Sequence, residues 1–319
     1  MKIAIIGTGG ISRVHFDAIS QLEDVELCAV CDINEERAKA CGEKYQVPYF
    51  VDYHEIPQKT DAEAVIVTLP HGLHCESAEF FLESGLHVMM EKPMANTVEE
   101  CDRMIAAAQR SGKKLAIAHP QNFGPAHHCL KKIIESEELG KLCMINEFNT
   151  TEYFTDSRPR WFLNKKMAGG GIAMNYGAHF FNKLFYHVNS KPVEIVSNVG
   201  AKGELPEGTD VEGHAQFFVR LENGITATVT FSGYSSCDSH FTCYFTEGAA
   251  RVYGGWGMQI RRRFGKWEEY PVGENHIFRD QLADFVKYVK GEPSIITTPE
   301  EGRDIIAAIQ TVYRNAGID

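Results

Sequence analysis

The chain has 319 residues, enough for two domains of ~100–200 residues each. A hydrophobic fraction of 44% and a charged fraction of 24% are those of a folded globular protein and exclude disorder as its main state. The net charge of −11 at pH 7 repels phosphate backbones and anionic lipid, so neither nucleic acid nor a membrane surface is expected as a partner.

Met1-Lys2-Ile3-Ala4-Ile5-Ile6-Gly7 opens with an apolar run too short for a signal peptide and leads straight into a glycine-rich turn. No stretch approaches ~18 consecutive apolar residues, so a cytoplasmic protein without a membrane span is expected. Nine cysteines are present. Cys28 and Cys31 have C-x-x-C spacing but lie on a predicted strand, where residues three apart point to opposite faces. They read as small core residues and not as a metal or redox pair.

In chain order, the patterning predicts a strand over 2–6 and a helix over 11–22, with Val14, Ala18, Ile19 and Leu22 at helical spacing. A strand over 25–31, a charged helix over 35–45, and strands over 49–51 and 64–68 follow. A helix over 75–84 ends at Gly85, and a strand covers 87–90. Thr97 caps a helix that Gly112 stops, and a strand covers 114–118. Alternating strands and helices indicate a doubly wound parallel sheet of the Rossmann type, an α/β fold, over residues 1–120.

The pattern changes after His119. A helix over 125–136 precedes β-like segments at 142–151, 193–200, 213–221, 224–231, 240–246 and 249–253, and helices follow at 278–290 and 299–315. Glu222-Asn223-Gly224 and Glu247-Gly248 read as hairpin turns. Residues 121–319 are therefore expected to form an α+β domain with a mainly antiparallel sheet.

The turn Gly7-Thr8-Gly9-Gly10-Ile11-Ser12 fits the dinucleotide fingerprint G-x-G-x-x-G with a small Ser in third place. The first glycine permits the tight turn, the second admits a pyrophosphate, and the third position must be small for helix to pack on strand. Asp32, after the second strand, stands where a carboxylate accepts from the adenosine ribose and repels a 2′-phosphate, favouring NAD over NADP. The competing reading of Asp32 is a turn or helix-cap residue.

Thr68, Leu69, Pro70, His71 and His74 lie where a strand ends and a helix opens, and Glu91-Lys92-Pro93 ends the next strand. Cofactor and substrate meet at such strand ends. Lys92–Pro93 is a candidate cis peptide. Lys92 reads either as a functional cation or as a surface lysine, and Gln121 either as facing the nicotinamide or as a polar loop residue. Tyr153 and Trp161 are candidate walls for a stacked substrate ring, or else core. His127 and His128 read as solvated helix residues. His71 and His74 lack the carboxylate or cysteine set that a metal site needs, so no metal is expected, and His74 lines the cofactor cleft or fixes its loop.

Together with Gly169-Gly170-Gly171 leading into Gly177-Ala178-His179, these segments resemble the glucose–fructose oxidoreductase, inositol dehydrogenase and MocA family over nearly the whole chain. The resemblance implies a Rossmann domain followed by a domain whose open sheet carries a homo-oligomer interface, as a dimer or tetramer. It implies hydride transfer between NAD(P) and a C–OH or C=O of a sugar, polyol or related compound. Lys92 then touches the reacting oxygen and His179 acts as acid or base. A histidine suits proton transfer near neutrality, and an ammonium stabilises alkoxide charge.

The sequence departs from the family in three places. Asn175 stands where many relatives carry an aspartate, so it can hydrogen-bond a substrate hydroxyl but cannot be a base. Asn182 replaces another common aspartate and reads as a helix-packing residue. His119-Pro120-Gln121-Asn122-Phe123 lacks the usual arginines. The leading expectation is an NAD(P)-dependent dehydrogenase or reductase. One alternative is an enzyme that retains NAD and uses transient oxidation for epimerisation, elimination or glycoside cleavage. The other is a non-catalytic NAD-binding sensor.

Overall fold

Short apolar strands buried on both faces pair in parallel and need helices on each side. The first part of the chain supplies both. In order run β1 (Lys2–Ile6), α1 (Ser12–Ser20), β2 (Glu26–Cys31), α2 (Glu35–Tyr45), β3 (Tyr49–Phe50) and α3 (Ile56–Lys59), then β4 (Ala64–Val67), α4 (His74–Glu83), β5 (His87–Glu91), α5 (Val98–Ser111) and β6 (Leu115–Ala118). The sheet order is β3-β2-β1-β4-β5-β6 and every pair is parallel. The order reverses between β1 and β4, and ligands bind outside the strand carboxyl ends at such a switch point. Helix boundaries follow local chemistry. Asn34 caps α2 through Arg37 N, and Thr97 and Glu100 form a reciprocal capping box on α5, which Gly112 ends at φ 68°. A box of this kind contributes about 1 kcal/mol.

The second part holds α6 (Pro125–Ser136), β7 (Leu142–Thr150), α7 (Lys165–Ala168), α8 (Ile172–Val188), β8 (Pro192–Gly200), β9 (His214–Leu221), β10 (Thr226–Ser232), β11 (Ser239–Phe245), β12 (Gly248–Tyr253), β13 (Gly257–Arg262) and β14 (Glu268–Glu269). They form an eight-stranded sheet in the order β14-β13-β12-β11-β7-β10-β9-β8. Its neighbours are antiparallel except for the parallel pair of β7 and β10. Both expected hairpins, β9–β10 and β11–β12, are present. The sheet extends beyond the sequence expectation to β13 and β14. In β13 only Met258 and Ile260 point inward, and Arg261, Arg262 and Arg263 conceal the alternation.

Residues 1–254 and 256–318 are described in this computed structural model, and they divide into two compact units. The first is Met1–Pro120 with His276–Ile306, and the second is Gln121–Asn275 with Ala307–Asp319. A single cut at 120 thus describes chain order but not packing. The chain returns through α9 (Ile277–Lys290), which packs on α1, and α10 (Pro299–Asn315) contributes residues to both units. The return is held locally: Asp284 Oδ2 accepts from Ser294 Oγ, Ile295 N and Ile296 N, and Thr297 bridges Ile117 of β6. Among the described residues, no helix is long and apolar enough to cross a membrane.

α8 packs on β9 and β10, where Phe180, Phe181, Phe217 and Phe231 meet at ring separations of 5.0–5.8 Å. Beside this apolar cluster lies a polar one. Lys183 Nζ reaches both oxygens of Glu147 at 2.7 Å, with both side chains buried. Removing one partner of a buried pair typically costs ~3–5 kcal/mol, because the other charge is left uncompensated.

His127 corrects the sequence expectation. It is buried, with Nδ1 3.0 Å from Nε2 of buried His187, which stacks on Phe241 at 5.6 Å. The helical pattern of Ala126, His127, Leu130 and Ile133 gives the reason: His127 lies on the apolar stripe of α6. His128, its neighbour, is only partly covered. Burial holds the His127 pKa well below 6.5, and the neighbouring His187, Lys183 and His128 groups add to it. Burial likewise lowers His187 to about 3, with Lys131, Lys183 and His128 contributing.

Both rings are therefore neutral in the folded protein, while the unfolded chain takes up protons below pH ~6.5. Their contribution to stability is complete above that pH and declines as pH falls, by up to ~1.4 kcal/mol per pH unit for each histidine. Buried His74 and His119 act in the same direction. Urea unfolding should show stability falling from about pH 6.5 toward 5, and His187→Phe should flatten that slope by about one proton. An unchanged slope in the variant would assign the acid sensitivity to other groups.

Candidate active site

The glycine loop after β1 is shaped by two different demands. Gly7 has φ +92°, its N donates to Cys31 O at 2.7 Å, and a Cβ there would come within 2.8 Å of Thr68 O. The protein itself therefore requires this glycine. Thr68 closes the contact, its hydroxyl donating to Gly7 O at 2.7 Å and its N to Ile6 O at 2.8 Å. Gly9 and Gly10 differ, since a Cβ at either would meet no protein atom within 4 Å. Nothing in the chain demands their smallness, whereas a group lying on the loop would. Ser12 is buried and its Oγ donates back to Gly9 O at 2.7 Å, which fits the requirement for a small third position.

α1 begins on this loop after Ile11, its N-cap, with no side-chain cap and no acidic residue in its first turn. Its first N–H groups and the positive end of its dipole thus have no anion supplied by the cap or the first turn. Open glycines before an uncapped helix start make a cradle for phosphate oxygens, so these residues fit the pyrophosphate of a dinucleotide.

Asp32 directly follows β2, and its carboxylate reaches Thr8 of the glycine loop. Its Oδ2 accepts from Thr8 N at 2.8 Å and Thr8 Oγ1 at 2.9 Å, and its Oδ1 accepts from Asn34 N and Arg37 Nη2, both at 2.9 Å. All four acceptor directions of the carboxylate are in use. Burial pushes its pKa up, but the donors from Thr8 and Asn34 and the Arg37 charge outweigh that and hold it below 3.8. The turn reading of Asp32 thus describes contacts that are present: its carboxylate ties Thr8 of the glycine loop to Asn34 and Arg37 at the start of α2.

At the ends of β4 and β5, His74 is fully buried. Its Nδ1 lies 2.9 Å from Pro93 O and its Nε2 2.9 Å from Leu69 O. Burial lowers its pKa, although these carbonyls oppose the shift. His74 joins the Leu69–Pro70 loop to the Lys92–Pro93 loop, so fixing its loop is the role the geometry describes. Buried His71 lies beside it, with ring centroids 5.6 Å apart. Among the described residues, no three His, Cys, Asp or Glu side chains gather as a metal site.

The Lys92–Pro93 peptide is cis, in line with the sequence expectation. Glu91 Oε1 lies 2.7 Å from Nε2 of buried His15 on α1, and its Oε2 accepts from Lys92 N at 3.2 Å. This pair links the helix that starts at the glycine loop to the backbone of Lys92, and neither end is signalled by the fingerprint alone. Burial lowers His119 to about 3, and the Lys92 charge adds to that shift. His119 therefore stays neutral near Lys92.

In the second unit, Asn175 and His179 lie one turn apart on α8, and the Tyr176 and His179 rings are 6.5 Å apart. Asn182 is buried and donates to Asn122 Oδ1 at 2.7 Å, a packing role. The two candidate aromatic walls separate. Tyr153 is fully buried beneath Arg158, whose guanidinium carbon is 3.9 Å from the ring centroid. It packs in the core, with the Phe154 and Phe162 rings meeting it edge to face at 5.4 and 6.5 Å. Trp161 is partly exposed and stacks on Phe162 at 3.7 Å. The side-chain oxygen of Gln121 is buried without a hydrogen-bond partner among the described residues.

Residues 1–119 match an oxidoreductase family with an NAD-binding Rossmann fold, and residues 127–251 match the GFO/IDH/MocA C-terminal domain. A Comamonas testosteroni 1-carboxy-3-chloro-3,4-dihydroxycyclohexa-1,5-diene dehydrogenase is 29% identical over 75% of this chain, which spans 59% of that relative's length. The D-glucoside 3-dehydrogenase of Escherichia coli K12 is 24% identical over 99% of this chain and 95% of its own. Aldose-aldose oxidoreductase from Caulobacter crescentus, solved with glycerol, superposes with a TM-score of 0.90 at 25% identity, over 99% of this chain and 97% of that one. With both of its domains matched in order along one chain, the protein belongs to the GFO/IDH/MocA family of oxidoreductases.

Proposed function

We propose that the protein is an oxidoreductase that uses NAD to move a hydride to or from a C–OH or C=O carbon of a sugar, polyol or glycoside. The observation that carries this reading is the gathering of the open glycine loop, Asp32, Thr68 and Lys92 at the carboxyl ends of β1, β2, β4 and β5 of one parallel sheet. The nicotinamide supplies the hydride chemistry, and the chain supplies binding, orientation and proton handling. Gly7, Thr8, Gly9, Gly10 and Ile11 receive the phosphates, and Thr68, Leu69, Pro70 and the His71–His74 turn border them. Gln121 offers its unbonded amide oxygen to a ligand donor.

Asp32 receives the adenosine ribose. Its acceptor directions are filled, so a ribose hydroxyl takes the one held by Arg37, a long side chain that is 55% exposed. The backbone N–H groups of Thr8 and Asn34 keep theirs, because backbone donors cannot turn away. The carboxylate then faces the 2′ position and disfavours a 2′-phosphate. Asp32→Ala should weaken NADH about tenfold or more, the worth of a charge-assisted hydrogen bond, and should narrow the preference over NADPH. Arg37→Ala should leave NADH binding equal or tighter. Fluorescence titration with both nucleotides checks this, and a wild-type preference for NADPH would refute the role given to Asp32.

On the substrate side, His179 takes the hydroxyl proton during oxidation and returns it during reduction. Lys92 stabilises negative charge on the reacting oxygen. Asn175 donates to or accepts from a substrate hydroxyl, and Trp161 offers a ring face to a sugar ring. A homo-oligomer is built on the outer sheet face, where Tyr244, Met144 and Val196 are exposed.

A panel of sugars, inositols and glycosides with NAD should give at least one substrate that accumulates NADH. Product without NADH accumulation would point instead to a retained cofactor and transient oxidation. On that substrate His179→Ala and Lys92→Ala should each lower kcat about 10²–10⁴-fold, while NADH binding persists. Full turnover in either variant would remove that residue from the mechanism.

A further inference from the structure

α8 carries Asn175, His179 and Asn182, so its rotation and axial register set where those side chains point. The first N–H groups of a helix have no partner within it. Here the N-cap is Gly171, which has no side chain to offer. A residue distant in sequence fills the gap. Gly171 N donates to Glu212 Oε2 at 2.8 Å, Ala173 N donates to Glu212 Oε1 at 2.8 Å, and Ile172 N donates to the Glu212 carbonyl at 3.3 Å. Three consecutive N–H groups thus end on one residue. The Tyr313 hydroxyl, on α10, also donates to Oε1 at 2.8 Å.

Glu212 and Tyr313 are both buried, and they account for the last two glycines of the triplet. Gly169 ends α7 at φ 75°. A Cβ at Gly170 would overlap the Tyr313 hydroxyl, and one at Gly171 would overlap the Glu212 carbonyl oxygen. Two residues earlier, Asp210 Oδ1 accepts from Lys165 N at the start of α7, at 2.5 Å. One short segment therefore fixes the starts of two consecutive helices.

We propose that Glu212, supported by Tyr313, is a positioning residue that sets the register of α8 and so aims Asn175 and His179 at the substrate. The proposal rests on the reading of His179 as the proton carrier. His179 lies eight residues past Gly171, about 12 Å along the helix, and a slip of one residue would turn it by about 100°. The side chain at the helix start thus acts on the reaction without touching it. A carboxylate suits this place because it only accepts and carries the charge that a helix start favours.

Glu212→Gln tests this, because an amide must set its NH₂ against one of the two backbone donors. Its kcat should fall about tenfold or more, a loss of transition-state stabilisation, with a smaller change in substrate KM. NADH affinity should hold, and activity is expressed per NADH-binding site so that unfolded protein does not count. Tyr313→Phe removes one of the three donors to the carboxylate and should lower kcat a few-fold. It carries the test if Glu212→Gln does not fold. In the His179→Ala background, Glu212→Gln should add little further loss, since both changes remove the same aimed group.

Full kcat per site in both variants would overturn the proposal. So would a double variant whose loss is the product of the single losses. If His179→Ala itself keeps full turnover, the reading of His179 fails instead, whatever Glu212→Gln does.

Discussion

The N–H groups at the start of a helix need acceptors, and this protein meets that need in two ways that shape everything around them. At α8 the acceptors are internal: Glu212 takes the N–H groups of Gly171, Ile172 and Ala173, and two glycines make room for it and for Tyr313. At α1 the cap and first turn offer no acceptor, and the glycines beside it face open space. The same residue type thus means opposite things at the two places. Gly170 and Gly171 are small because protein fills the space, whereas Gly9 and Gly10 are small where protein leaves it. One helix is fixed in the fold, and the other is prepared for an anion.

α8 is also held along its length. Lys183 is locked to both oxygens of Glu147, and Asn182 is bonded to Asn122, which follows Gln121 directly. With Glu212 at the start, the helix is pinned at separate points by polar contacts, while Phe180 and Phe181 fill the space against the sheet. Apolar packing tolerates small rotations, because its attraction has little direction. Buried hydrogen bonds and ion pairs tolerate them poorly, because a misplaced partner leaves an unpaired group. Such contacts cost more to desolvate than an apolar core, and they make sense on a helix whose side chains have to point in a fixed direction.

Much of the first unit was legible in the sequence because its signals are local. Continuous apolar strands, Thr97 with Glu100, Gly112 and the glycine loop each declare themselves within a few residues. The later misses have physical causes. The strand β13 hides behind an arginine run, and His127 looks solvated until the apolar stripe of α6 is drawn through it. Tyr153 stood as wall or core because an aromatic ring serves both, and its complete burial was not legible from residue type. Glu212 was not visible at all. It sits in an acidic loop that reads as solvated, and its partners lie 41 and 101 residues away. The return of residues 276–306 to the first unit was hidden for the same reason: periodicity reports a buried face but not what buries it.

Asn175 remains the position where the pattern of related proteins cannot be carried over, and the structure narrows what can replace it. Among the described residues, the buried carboxylates of the second unit are Glu147 and Glu212. Both are committed. Glu147 gives its two oxygens to Lys183, and Glu212 gives its two to backbone N–H groups and Tyr313. Taking either as a base would break a buried network, leaving Lys183 or a helix start without its partner. In the proposed reading, the proton capacity of α8 therefore rests on His179, and Asn175 contributes orientation. The helix then carries one group that moves a proton and a set of groups that keep it aimed.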